Sequence, residues 1–390
     1  MARIAIFCDG TWNSPGQSQP THVHRLYQAT PETAEQKPIY IEGVGTGNKW
    51  ASFVGKKLNK VGGGAFGWGL NDNIKDAYRA LVKQYRPGDS IHIYGFSRGA
   101  YTARSLAGMI RKVGIVDNLT EARLTQAFAL YRLAGPQNAP DEDQILKVRR
   151  ALSPHFATSQ AEIAWRAQNP SGEDGETRPR LVQIEFMGIW DTVGSLGIPS
   201  TILGPVASLW NRKYLFHDTR LSRTVKAARH ALALDERRVF YRPALWENLE
   251  QSVEGPGLNR GDRSARRPYQ QLWFVGTHSV VGGSAQTRGL TSITLEWMAE
   301  GAQQAGLVLR DVPALLDHPV DPVAESAELS QVSLVYRLAG ALLEWRKGPG
   351  HPVDLHGSAE QRVAQRLDYR PLSLRQLKPE LFGGKVIGRH

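Results

Sequence analysis

The sequence predicts an α/β fold: a mostly parallel sheet with helices on both faces and helical insertions. Three observations lead there. Short runs of β-branched and aromatic residues recur at 3–8, 38–42, 90–94, 180–190 and 271–277. Segments of helical character separate them, and strands that alternate with helices pair in parallel beneath covering helices. At 90–110 the two kinds of segment meet through one tight turn, Gly95-Phe96-Ser97-Arg98-Gly99.

Each element has its own reason. Residues 3–8 are an apolar run that stops at Asp9-Gly10, with Cys8 filling core at its end. Residues 69–86 form a helix, because Leu70, Ile74, Ala77, Tyr78, Leu81, Val82 and Tyr85 recur at three and four. Pro87-Gly88-Asp89 stops it. Ser90–Tyr94 reads as a buried strand, and Ala100–Ile110 as a buried helix of small and apolar residues. Residues 119–168 read as two or three helices without strands between them, an insertion over the sheet. After a polar loop at 169–180 comes a strong strand to Trp190. Ala227–Asp235, which contains His230, reads as helix-like. Residues 271–277 form the next strand, and 290–305 a helix with Leu295, Met298, Ala299 and Ala302 on one face. The expected layout is a catalytic domain over 1–305 and a helix-and-loop extension over 306–390 packed on it.

Composition narrows the classes. At 390 residues the chain can bury a large core, and no apolar run approaches a membrane span. Met1-Ala2-Arg3 leads at once into Ile4–Phe7 and Asp9, too short a run for a secretory signal, so a cytoplasmic protein as synthesised is expected. The single cysteine excludes an internal disulfide and offers no thiolate metal site. No pair of histidines stands at i, i+4 either, so neither metal nor organic cofactor is expected. The net charge is +11, with clusters at Arg260–Arg267 and Arg362–Arg389. Such charge solubilises, and it also favours an anionic lipid surface as a peripheral partner. Aromatic residues do not interleave with the clusters as a base-stacking platform requires, so nucleic acid is not an expected partner.

The turn at Ser97 carries the chemistry. Strand, sharp turn with serine at its apex, then helix is the setting in which G-x-S-x-G exposes a nucleophile. The turn is strained and the helix passes close to the strand, so Gly95 and Gly99 stand where a Cβ fits poorly. A serine hydroxyl needs a base, and the base an orienting acid. In α/β-hydrolases these follow in the order Ser, Asp or Glu, His, from strand ends. Asp191 follows one predicted strand and His278 another. Asp9, at the end of the first strand, is the rival acid; His230, His217, His24 and His22 are weaker rivals for the base. The oxyanion hole is expected from the backbone of Arg98 together with Gly10 or Thr11. Gly62-Gly63-Gly64-Ala65-Phe66-Gly67 fits a dinucleotide fingerprint in letters only, since Lys56–Lys60 before it is no strand. The apolar stretch 194–216, with Ile202, Leu203, Leu209 and Trp210, is a candidate lid, or equally an inserted helix packed on the core.

Five blocks in order resemble a known family: Phe7–Asn13, Gly95–Arg104, Trp190–Gly194, Ala231–Arg238 and Trp273–Ser279. They are similar to the uncharacterised α/β-hydrolase domain family that contains the catalytic domain of bacterial type VI secretion phospholipase effectors. The resemblance covers about residues 3–300. It implies an α/β-hydrolase fold, a serine esterase or phospholipase and, for effector-like members, export by a type VI route. Its motif positions place the nucleophile at Ser97, the acid at Asp191 and the base at His278. One departure stands out: the family's His-Ser-Asp-Val-Gly-Gly reads His278-Ser279-Val280-Val281-Gly282-Gly283 here. The expected function is therefore a serine-dependent carboxylic ester hydrolase, with ester or phospholipid as substrate. The rival is a non-catalytic hydrolase-like scaffold serving interaction or delivery, and a third reading is a basic nucleic-acid binder.

Overall fold

The computed structural model describes residues 1–10, 19–43, 69–170, 178–193, 219–252, 255–316, 318–329, 343–377 and 381. The candidate lid with Ile202, Leu203, Leu209 and Trp210, the Gly62–Gly67 motif, Thr11 and His217 lie outside the described residues.

Six strands form the main sheet: β1 (Arg3–Cys8), β2 (Gln36–Ile41), β3 (Ser90–Phe96), β6 (Ile184–Trp190), β7 (Val225–Ala233) and β10 (Tyr269–Phe274). Two minor pairs stand apart, β4 (Phe156–Ala157) with β5 (Arg180–Leu181) and β8 (Gln251–Ser252) with β9 (Gly255–Pro256). The main order is β10-β7-β6-β3-β1-β2, and every neighbouring pair is parallel. The chain builds outward from β1 in one direction to β2 and in the other through β3 to β10. The carboxyl ends of β1 and β3 thus flank a topological switch point, where open parallel sheets leave a crevice.

Two cores follow from the alternation along each strand. Ile4, Ile6 and Cys8 of β1 and Ile91 and Ile93 of β3 face one cluster; Ala5, Phe7, Tyr94 and Phe96 face the other. Successive side chains point to opposite faces, so a strand buried on both sides is mostly apolar, with His92 of β3 a buried exception. Helices α2 (Leu70–Gln84) and α3 (Arg98–Val113) cover the first face. Behind them lie α4 (Glu121–Arg132), α5 (Asp143–Leu152) and α6 (Gln160–Gln168). This inserted region was expected to lack strands. It holds β4, because Phe156–Ala157 finds an edge in Arg180–Leu181. The second face is covered by α1 (His22–Ala29) and α8 (Arg288–Gln304), with the short α7 (His278–Gly282) between β10 and α8. Leu355, Ala359, Val363, Tyr369, Leu374 and Leu377 join the same core from beyond residue 306.

One element departs from expectation. Ala227–Asp235 is not helical but supplies most of β7, between β6 and β10. Alanine favours helix in isolation, yet a strand between two neighbours and under α8 is chosen by packing, and small side chains suit it.

Candidate active site

The turn after β3 is shaped by what cannot fit there. A Cβ on Gly99 would collide with the carbonyl oxygens of Cys8 and Asp9, and one on Gly95 with the backbone of Gly99 and Ala100. The start of α3 is thereby pressed against the end of β1. Ser97 takes up the bend at φ 57° and ψ −121°, a conformation that side-chain-bearing residues rarely adopt. Such strain, about 1–3 kcal/mol, persists where surrounding structure over-determines it. Here the Ser97 N–H donates to the Trp190 carbonyl at 3.0 Å, tying the turn to β6.

Asp191 comes directly after β6 and also bends through positive φ, 36°. His278 opens α7 after β10. The two meet Ser97 across the rim: His278 Nε2 lies 2.9 Å from Ser97 Oγ, and Nδ1 lies 2.6 Å from Asp191 Oδ2. An ionised carboxylate only accepts, so Nδ1 is the protonated nitrogen and Nε2 accepts from the serine hydroxyl. The ring is held between Phe96 and Tyr241, at centroid distances of 4.6 and 4.7 Å. The His278 N–H donates to Glu236 Oε2 at 3.2 Å, and Glu236 is in turn held by Arg238 at 2.6 Å.

Asp191 is fully buried. Burial pushes its carboxyl up, but the Arg346 guanidinium and the hydrogen bonds from Arg346 and His278 outweigh this and hold it well below the usual carboxylate range. Its Oδ1 accepts from the Ala233 N–H at 3.0 Å and from Arg346 Nη1 at 2.6 Å; its Oδ2 accepts from Arg346 Nη2 at 2.8 Å.

The rival acid is differently engaged. Asp9 accepts from Gly10 N–H at 2.6 Å, Thr21 Oγ1 at 2.7 Å and Tyr40 hydroxyl at 2.6 Å. Burial, only partly offset by these bonds, raises its carboxyl. Gly10, expected among the oxyanion donors, has its N–H committed to Asp9 instead, because Asp9 needs donors in a buried loop. Arg98 is the first residue of α3, where helix N–H groups and the helix dipole favour an anion.

Two rival histidines belong to the core. His230 Nε2 accepts from the Thr192 N–H at 3.3 Å, so its Nδ1 donates to Gln271 Oε1 at 3.0 Å. Burial pushes it down to about 3, and it braces the loop bearing Asp191. His22, also pushed down to about 3 by burial, packs beside Trp190. Val280 is fully buried and packs over Gly276. Among the described residues no three His, Cys, Asp or Glu side chains converge as metal ligands do, and no helix is long and apolar enough to cross a membrane.

Sequence reasoning missed Arg346 and the backbone contact of Glu236. Glu236 stood in one of the resembling blocks without a role. Arg346, one of 48 lysines and arginines, carried no local signal.

The fold is thus an α/β sheet with serine, histidine and aspartate joined at its carboxyl rim. The model for the type VI secretion phospholipase effector Tle1-like catalytic domain matches residues 2–301, and the chain belongs to that family. An uncharacterized protein of Saccharomyces cerevisiae is 31% identical over 243 residues, 60% of this chain and 31% of that one. Two solved structures are more distant. An uncharacterized protein from Pseudomonas aeruginosa is 16% identical, with a TM-score of 0.45 over 93% of this chain and 53% of its own. The Tle1 effector bound to the VgrG spike of the type 6 secretion system is 17% identical, with a TM-score of 0.34 over 74% of this chain and 53% of its own. This chain therefore spans less than a third of the yeast relative and about half of each solved chain.

Proposed function

We propose that the protein is a serine-dependent carboxylic ester hydrolase acting on phospholipid. The observation that carries this is the unbroken contact from Ser97 Oγ through His278 to Asp191, at 2.9 and 2.6 Å. In the proposed chemistry Ser97 Oγ attacks the acyl carbonyl while His278 Nε2 takes its proton. The carbonyl oxygen, now an anion, is met by the Arg98 N–H at the α3 terminus. Collapse expels the alcohol, which receives the proton from His278, and leaves an acyl-enzyme. Water, deprotonated by His278, then releases the fatty acid and frees Ser97. Asp191 keeps the imidazole in the required tautomer and stabilises the imidazolium. Asp9 is a brace for the loop after β1 rather than the acid.

Phospholipid as the substrate class rests on the family, whose model is that of a phospholipase effector domain. Delivery by a type VI route is proposed on the same ground. The basic loop Arg260–Arg267 precedes β10, so it lies at the amino ends of the strands, opposite Ser97. A lipid surface bound there would not present its acyl esters to the serine, so membrane approach is assigned to the carboxyl rim.

A fluorophosphonate probe and phospholipid vesicles test the reading. Wild type is expected to be labelled and to release fatty acid, and Ser97→Ala to do neither. A wild type that is folded, unlabelled and inactive on both vesicles and short esters would return the chain to the non-catalytic scaffold.

A further inference from the structure

The family match ends at residue 301, yet a side chain from beyond it reaches the middle of the site. Arg346 is buried, and its guanidinium spans both oxygens of Asp191 at 2.6 and 2.8 Å. The second donor of each Nη group is directed as well, Nη1 to the Ala233 carbonyl at 2.9 Å and Nη2 to the Tyr241 carbonyl at 2.5 Å, while Nε has no partner among the described residues. A planar fork bridging two carboxylate oxygens fixes the carboxylate plane, which an ammonium on a flexible stem cannot do. That plane decides whether Oδ2 faces His278 Nδ1.

We propose that Arg346 is a positioning residue of the active site, contributed by the segment after the family domain, which orients Asp191 toward His278 and offsets its charge. The proposal rests on the serine-hydrolase reading for its consequence in catalysis, but its geometry stands without it. The segment has other anchors, so Arg346 is not its only tether. The Glu344 N–H donates to the Arg237 carbonyl, the His356 N–H to the Trp273 carbonyl, and Leu355, Ala359 and Val363 lie in the second core.

Groups from several elements pack around the imidazole. Asp191 comes from the end of β6, Glu236 from the end of β7 with Arg238 bound to it, and Arg346 from the C-terminal segment; Tyr241 and Ser97 complete the shell. His230 lies behind the Asp191 loop and is held neutral by burial. Within this shell the Arg346 guanidinium is the charge partner of Asp191.

The test uses the full chain with nitrogen-15 in histidine, followed by proton NMR of the downfield Nδ1–H signal of the His278–Asp191 hydrogen bond, with His278→Gln identifying the signal. Arg346→Met is expected to shift or lose that signal, because the Asp191 carboxylate is no longer held in plane. Arg346→Lys, which keeps charge but not the fork, is expected to slow fluorophosphonate labelling at least about tenfold. An unchanged Nδ1–H signal in a folded Arg346→Met protein overturns the proposal. Should that variant not fold, Arg346→Lys decides alone, and labelling at the wild-type rate overturns it. Failure of the hydrolase reading looks different: wild type itself would not label, while the difference in the Nδ1–H signal would still appear.

Discussion

Two buried aspartates end two strands of the same sheet and meet opposite fates. Asp9 follows β1 and Asp191 follows β6, and both are almost wholly removed from water. Burial disfavours either charge by a comparable mechanism, so the neighbours decide. Asp9 is met by two hydroxyls and one N–H, and burial prevails: its carboxyl is raised. Asp191 is met by a guanidinium fork, an imidazole and an N–H, and the charge partners prevail: its carboxyl is lowered. A carboxylate kept ionised beside an imidazole can stabilise that imidazole when it takes a proton; one whose charge burial disfavours is suited to holding a loop.

The largest expected effect breaks this comparison at its active end. Asp191→Asn keeps size and removes charge, and an amide NH₂ facing Nδ1 favours the wrong histidine tautomer. Labelling by fluorophosphonate should fall by about 10³–10⁴-fold, as in other sites where an oriented carboxylate is neutralised. A loss under tenfold would mean that Asp191 does not serve His278. The fold should survive only in part, because the Arg346 guanidinium is left buried beside a neutral group, at a cost of about 3–5 kcal/mol.

A smaller effect tests the wall between the two aspartates. Gly99 lies where α3 touches the carbonyls of Cys8 and Asp9. Gly99→Ala must push the loop of Asp9 away from the turn of Ser97, since backbone rather than a flexible side chain is in the way. A destabilisation of about 2–4 kcal/mol in urea unfolding is expected, by strain of the overpacking kind. Gly357→Ala is the control. Like Gly99 it stands in the first turn of a helix, Gly357–Gln365, without positive φ, but nothing lies within 4 Å of its Cβ, so only the change of residue applies. Equal losses in both would show that the contact with β1 carries no weight.

How much of this was legible in the chain depends on the range of the interaction. The strands of β1, β3, β6 and β10 were readable because each carries a short run dominated by β-branched, aromatic and other apolar residues. The turn at Ser97 was readable because the motif is local and Gly95 answers to contacts within a few residues, with Gly99 and Ala100, although Gly99 itself answers to Cys8 and Asp9 at the end of β1. β7 was not, because Ala227, Ala228, Ala231 and Ala233 follow a helix preference that neighbouring strands override. The order Ser97, Asp191, His278 named side chains that the sheet brings within hydrogen-bond reach, although nothing local marks Asp191 above Asp9. What separates those two is Arg346, 155 residues further on, and Tyr40 and Thr21 on the other side. Val280 is similar: the sequence marks a departure from the family block, and only packing shows it as a core residue lying over Gly276.

The smallest effect sharpens the comparison through pH. Asp191 has a folded value below the ordinary 3.8, so its share of stability is present above about pH 3.8 and is lost as pH falls through the folded value. Asp9 has a folded value above 3.8, so its share is full below about pH 3.8 and is lost as pH rises through that raised value. Asp9→Asn should therefore flatten the decline of stability on the alkaline side and leave the acid side as it was. At low pH the cost should be only about 1 kcal/mol, since an amide can still accept from the Gly10 N–H and the Thr21 and Tyr40 hydroxyls can turn to pair with it. Urea midpoints measured from about pH 3 to 8 for wild type and Asp9→Asn check this. If Asp9→Asn instead steepens the alkaline decline, the charge on Asp9 is stabilised in the folded protein, and the contrast with Asp191 is one of degree rather than of sign.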